Sequence, residues 1–210
     1  MSSGYLTVQG KGCDEIIIQK SRFIGYAAPC ETEDEALSFI EEIRKKHKEA
    51  KHHCYAYIIG KNLGIMRFSD DGEPGGTAGM PMMDILKKES IVNCCVVVVR
   101  YFGGVLLGTG GLVRAYTQSC KIALASAHIV RMELTCVKRC KVSYALWNQI
   151  QYRIQKMPVL LKDIVYSDMV EFLLCMKIKD VDATIQLLND SSDGKISWSD
   201  AAEKYMVWDD

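Results

Sequence analysis

The stretch Cys94-Cys95-Val96-Val97-Val98-Val99 narrows the folds open to this chain more than any other. An unbroken apolar run of this kind, rich in β-branched residues, describes a strand covered on both faces. Such a strand belongs at the centre of a sheet, so Ile91 to Phe102 is predicted to be the middle of an α+β domain. Two glycine-rich segments flank it. One is Ser69-Asp70-Asp71-Gly72-Glu73-Pro74-Gly75-Gly76-Thr77-Ala78-Gly79-Met80-Pro81, the other Gly103-Gly104-Val105-Leu106-Leu107-Gly108-Thr109-Gly110-Gly111-Leu112-Val113-Arg114. Nine of the sixteen glycines lie between Gly72 and Gly111. Glycine permits positive φ and close approach of the backbone at an entropic cost, so this concentration marks a binding site or very tight packing.

Around that centre the pattern places further elements. Residues 1 to 15 read as a loose start, and Ile16 to Ala28 as a strand pair or one bent strand. Thr32 with Glu35 forms a capping box for a first helix, whose apolar face is Ala36, Phe39, Ile40, Ile43 and His47 and whose last turn is basic. His52 to Gly60 and Ile65 to Phe68 make a hairpin. Pro81 opens a short helix to about Glu89, and a long helix spans Gly111 to about His128. Near Arg131 the pattern restarts: strand 132–143, helix 144–157, strands 159–166 and 169–178, a short helix from Asp180 or Asp182, and a last strand 195–207. That order, βαββαβ, is the split βαβ arrangement of a ferredoxin-like domain. Two α+β domains are therefore expected, 1–131 and 132–210.

Charge excludes a bulk nucleic-acid binder, because Lys+Arg and Asp+Glu number 26 each. Up to Arg131 there are 16 basic and 14 acidic residues, and beyond it 10 and 12. Any basic surface must therefore be local. Nine cysteines, with no CxxC spacing, fall mostly in apolar runs and read as reduced thiols. With no signal-like start and no membrane-length apolar stretch, the expectation is a soluble, cytoplasmic protein.

A strand, then Arg100-Tyr101-Phe102-Gly103-Gly104, then Gly108-Thr109-Gly110-Gly111 opening a helix, is a physically sensible anion site. Free backbone N–H groups and the helix dipole favour a phosphate there, and Arg100 and Arg114 add bidentate donors. The alternative is that these glycines only let the helix press on the sheet. No Gly-Lys-Ser/Thr follows, and Val113 stands where a dinucleotide fingerprint needs glycine. Asp70-Asp71-Gly72-Glu73 beside His52, His53 and Cys54 invites a metal reading, but the spacing fits neither calcium nor zinc, so a hydrogen-bonded turn is expected and no metal or cofactor. Cys54 and Cys120 sit in core elements, and Ser69 and Ser119 lack a nucleophile elbow.

Lys20-Ser21-Arg22-Phe23-Ile24, His52-His53-Cys54, Ser69 to Pro74 with Thr77-Ala78-Gly79, Arg100 to Gly104 and Leu107 to Tyr116 together resemble the signature blocks of the YigZ/IMPACT family, over about residues 18 to 128. The resemblance implies a first domain with the βαβ-type fold shared by a small-subunit ribosomal protein and a translocation factor. It also implies a second domain like the last domain of elongation factor G. Eukaryotic relatives regulate translation under amino-acid stress. One departure stands out: Gly79-Met80-Pro81 carries Met80 where a basic residue is expected beside the acidic loop.

Together these features point to a non-enzymatic protein that binds RNA, the ribosome or a translation-related protein, with no membrane role and an oligomeric state left open. Arg100, Tyr101, Gly103, Gly104, Gly108, Gly110, Gly111 and Arg114 would form the contact site, and Asp70, Asp71, Glu73, Gly75, Gly76 and Thr77 the loop supporting it. Two other readings stay open: a protein–protein adaptor, and a small-molecule hydrolase using Asp70, Asp71 or Glu73.

Overall fold

A computed structural model describes residues 4–208. In chain order the elements are β1 (Gly4–Val8), β2 (Gly12–Ile18), β3 (Ser21–Pro29), α1 (Glu33–Lys46), β4 (His52–Ile59), β5 (Ile65–Ser69), α2 (Gly79–Lys88), β6 (Cys94–Tyr101) and α3 (Gly108–Ser126). There follow β7 (Ile129–Val142), α4 (Tyr144–Ile154), β8 (Val159–Tyr166), β9 (Val170–Lys177), α5 (Val181–Ser191) and β10 (Ser197–Val207). Tyr5–Arg131 form one compact unit, and the chain from Met132 onward is the body of another. No helix among the described residues is long and apolar enough to cross a membrane.

In the first unit the sheet order is β2-β3-β6-β4-β5, with every pair antiparallel. β6 is central, as its apolar run requires. Cys94, Val96 and Val98 point to one face, where Met82, Leu86, Tyr116, Cys120 and Ala123 of α2 and α3 cover them. Cys95, Val97 and Val99 point to the other, against Phe39, Ile40 and Ile43 of α1. Thr32 caps α1 as expected, its side chain accepting from the Glu35 N–H at 3.2 Å. The Glu35 carboxylate reaches the N–H of Glu31 at 2.7 Å, one residue earlier than an ideal capping box.

Two expectations need correction. The described part of residues 1–15 is not loose: it contains β1 and the start of β2, and positions 1–3 lie outside the described residues. β2 is an edge strand with Cys13, Asp14 and Glu15 exposed, so its polarity hid it. α3 begins at Gly108 rather than Gly111, so three of the loop glycines lie inside its first turn.

In the second unit β7 lies between β10 and β9, and β8 pairs with β9, all antiparallel. The order β7-α4-β8-β9-α5-β10 is the expected ferredoxin-like arrangement. Trp147, Ile150 and Ile154 of α4 and Leu188 of α5 pack on Cys140, Val142, Phe172, Leu174 and Met176. All nine cysteines are free thiols; Cys13 is exposed and the other eight are buried.

Candidate functional site

The acidic loop after β5 is held by its own carboxylates. Asp70 accepts backbone N–H bonds from Gly76 (2.8 Å), Ala78 (3.0 Å) and Gly79 (2.8 Å), and so supplies the anion at the start of α2, where Ala78 has no side-chain cap to give. Asp71 adopts φ +41° and Gly72 φ +85°. The Asp71 carboxylate accepts the His53 backbone N–H at 2.7 Å and lies 3.5 Å from the Arg44 guanidinium, while its carbonyl meets His52 Nδ1 at 2.9 Å. Thr77 closes the loop by donating through Oγ1 to the Pro74 carbonyl at 2.6 Å, with Gly75 and Gly76 exposed at its tip. The Cys54 thiol donates to the Asp70 carbonyl, and burial pushes its ionisation far up.

Glu73 turns inward. It is 8% exposed, and its carboxylate accepts Arg100 Nη1 at 2.8 and 3.0 Å and the Tyr116 hydroxyl at 2.8 Å. Arg100 lies between the rings of Phe23 and Phe102, with centroids 5.4 and 5.5 Å from its guanidinium carbon. The expectation that Arg100 serves as an anion-binding side chain is therefore corrected: it is 6% exposed and its charge is spent on Glu73. Tyr101 is also committed, its hydroxyl bonded to His47 Nδ1 at 2.9 Å. Tyr116 stands at helical spacing from Leu112, Cys120 and Ala123, an apolar face in the sequence; its role in this buried triad has no signal there beyond the need of a buried phenol for a polar partner.

The second loop behaves differently at its two ends. A Cβ on Gly103 would lie 2.0 Å from the Lys20 carbonyl carbon, so this glycine packs the loop onto the β2–β3 turn rather than opening toward a ligand. We expect Gly103→Ala to lower stability by about 1–3 kcal/mol through overpacking. Gly110→Ala, where the nearest atom is Arg114 Nη1 at 3.7 Å, is expected to be neutral or slightly stabilising on helix propensity. Paired urea titrations check the contrast.

Beyond Gly103 the loop is open. Phe102, Val105 and Leu106 are 56%, 40% and 85% exposed. Gly104 and Gly108 have φ of +83° and +70°, and Gly108, Thr109 and Gly110 are exposed. The N-cap of α3 is Leu107, which offers no side-chain acceptor, so the leading N–H groups of this 19-residue helix face outward uncapped. Arg114 is exposed one turn on, and Gly111 packs against Leu107. Beside the loop lies a groove of about 300 Å³, lined by Glu49, Ala50, Lys51, His52 and Phe102 over Arg100 and Tyr101. Lys51 carries no signal of its own in the sequence, standing just past the basic run Arg44-Lys45-Lys46 and Lys48 that closes α1 and reads as a solvated helix end. Met80 is half exposed on the first turn of α2. Among the described residues no group of three or more His, Cys, Asp or Glu side chains is placed to hold a metal ion.

Comparison with known proteins follows the same division. The Impact N-terminal domain matches residues 19–124, and a domain of unknown function, DUF1949, matches residues 140–195. The chain is 39% identical over 206 residues to the IMPACT family member YvyE of Bacillus subtilis, covering 98% of this chain and 95% of that one. It is 49% identical over 104 residues to the IMPACT family member YigZ of Escherichia coli, covering 47% and 50% of the two. A crystal structure titled as that of a hypothetical protein aligns with 97% of this chain and 100% of its own, at 30% identity and a TM-score of 0.61. With its first unit matching the Impact N-terminal domain and 39% identity to a named member over nearly the whole length of both chains, this chain belongs to the IMPACT family.

Proposed function

We propose that this protein is a cytoplasmic, non-enzymatic partner of the translation machinery, contacting RNA or the ribosome through the first turn of α3 and the loop before it. The observation that carries the reading is the uncapped start of α3, with Arg114 exposed beside it and Phe102 and Leu106 exposed on the approach. Unpaired N–H groups and the helix dipole favour phosphate, Arg114 adds a bidentate donor, and Phe102 offers a ring on which a base can stack. The α2 start, by contrast, is already filled by Asp70. A hydrolase is disfavoured because Asp70, Asp71 and Glu73 all spend their carboxylates on internal partners. The translation link rests on family membership.

A second reading, an adaptor for a protein partner, is favoured by Leu106, 85% exposed with Val105 beside it. Ribosome co-sedimentation separates the two. Native protein should pellet with ribosomes at low salt and less at moderate salt. Arg114→Ala should weaken binding and reduce the slope of log affinity against log salt by about 1. Binding that ignores salt and Arg114 but is lost in Val105→Ala/Leu106→Ala would replace the phosphate reading by the adaptor one. No binding at any salt would end both for the ribosome.

A further inference from the structure

The second unit carries more acids than bases, yet its bases are not spread evenly. Because Cys140, Val142, Phe172, Leu174 and Met176 face the helices, the alternate residues of β7 and β9 face the opposite side of the sheet. Register across the strands fills in that face. Lys162, Leu173, Arg139 and Ser199 form one row, and Leu160, Cys175, Val137 and Ala202 the next. Beyond them Lys177 and Lys204 flank Thr135, and on the other side Lys141 stands beside Glu171. Thus half of the ten basic residues after Arg131 share one sheet face. Its acids are Glu171, which pairs with Lys141 at 2.7 Å, Asp163 at the bulge in β8, and Glu133, buried two residues beyond Thr135 at the far end of β7.

Arg139, Lys162 and Lys204 are exposed, and none of them takes part in an ion pair among the described residues. Lys162 on β8 and Lys204 on β10 stand at the two edges of the sheet, and both oppose the upward push that burial gives the Cys175 thiol between them, while Asp163 adds to it. Between these cations the floor is flat and aliphatic: Leu160 and Leu173 are partly exposed, and Val137 and Cys175 lie beneath them.

We propose that this sheet face binds single-stranded RNA, with Lys162 and Lys204 on phosphates and the leucine floor and the Arg139 guanidinium plane under the bases. Same-face residues along a strand are about 6.6–6.8 Å apart and strands about 4.8 Å apart, so the cations form a spaced grid rather than a point. An acidic peptide would satisfy the charges but leave the apolar floor uncovered, whereas a polynucleotide uses both. The face is carried by its own residues and holds whether or not the α3 turn binds anything; only the choice of RNA over DNA rests on the translation-linked reading.

Fluorescence anisotropy of a labelled oligouridylate with the full-length protein tests it. Lys162→Glu/Lys204→Glu should weaken binding tenfold or more and lower the salt slope by about 1.4, as expected for two lost contacts to a single strand. Arg139→Leu should weaken it again. Lys156→Glu/Lys195→Glu, with the same charge change away from the face, should leave affinity within twofold, and an unchanged thermal midpoint shows each variant folded. Equal loss in both charge pairs, no binding by native protein, tighter binding of oligodeoxythymidylate, or displacement by polyglutamate as readily as by unlabelled RNA would each overturn the proposal. Arg114→Ala measured alongside reports on the α3 turn separately.

Discussion

Arg100→Ala is expected to destabilise the first unit by about 3–5 kcal/mol, because it strands the Glu73 carboxylate in the interior with only the Tyr116 hydroxyl for company. The cost arises from the partner left behind more than from the attraction lost. Taking two charges out of water is expensive, and removing one leaves the other uncompensated. Glu73→Gln should cost less than Arg100→Ala, since an amide can still accept from Arg100 and Tyr116. An Arg100→Met/Glu73→Leu pair should cost less than the two single losses added together. Urea unfolding with fluorescence and far-ultraviolet detection reads these variants together with the matching single substitutions Arg100→Met and Glu73→Leu. If Arg100→Ala unfolds at the native midpoint, the triad is not the clasp the geometry describes. For the same reason a loss of ribosome binding in Arg100→Ala would report on folding, which is why Arg114 is the side chain to change.

Asp70→Ala is expected to be the second most damaging substitution at the site, at about 2–4 kcal/mol, given the usual worth of hydrogen bonds to charged groups and of helix caps. Three N–H groups lose their acceptor at once, and those of Ala78 and Gly79 are buried where water does not replace it. Asp70→Asn should recover part of the loss, because Ala78 and Gly79 share one carboxylate oxygen and a carbonyl can take its place. Gly76 would then face an amide donor. Thermal unfolding of the three proteins should rank native, Asn, Ala, and equal midpoints for Asn and Ala would show that the shared oxygen is not what holds the α2 start.

The core of the fold was readable because its signals are local. The Cys94–Val99 run announces its own burial on both faces, Thr32 and Glu35 announce a helix start, and the βαββαβ order after Arg131 follows from alternation and turn residues. What was not readable depends on partners distant in sequence. Arg100 follows the apolar run and looks like an available charge; the carboxylate that neutralises it is 27 residues away in a loop with no spacing rule. Gly103 looks like its neighbours, and only the Lys20 backbone against it shows that it serves packing. The start of α3 reads as Gly111 rather than Gly108 because glycine has poor helix propensity, and the tertiary packing of α3 overrides that preference. The Asp-Asp-Gly-Glu loop was legible as a hydrogen-bonded turn, though not which backbone groups it would hold.

The free thiols turn this chain into its own stopwatch. Alkylating reagents attack the thiolate, so burial delays seven of the eight interior cysteines twice: access is denied, and ionisation is pushed up, to about 12 for Cys120 and Cys140 and well above the usual thiol range for Cys94 and Cys95, whereas the hydrogen bond with Cys95 lowers that of Cys30 and leaves only its burial to protect it. Cys13 is open to reagent from the first second. The remainder react at the tempo of local or global opening. Cys94, Cys95 and Cys120 keep time for the first unit and Cys140 for the second, so mass spectrometry of a single labelling course can follow the breathing of each without adding a probe.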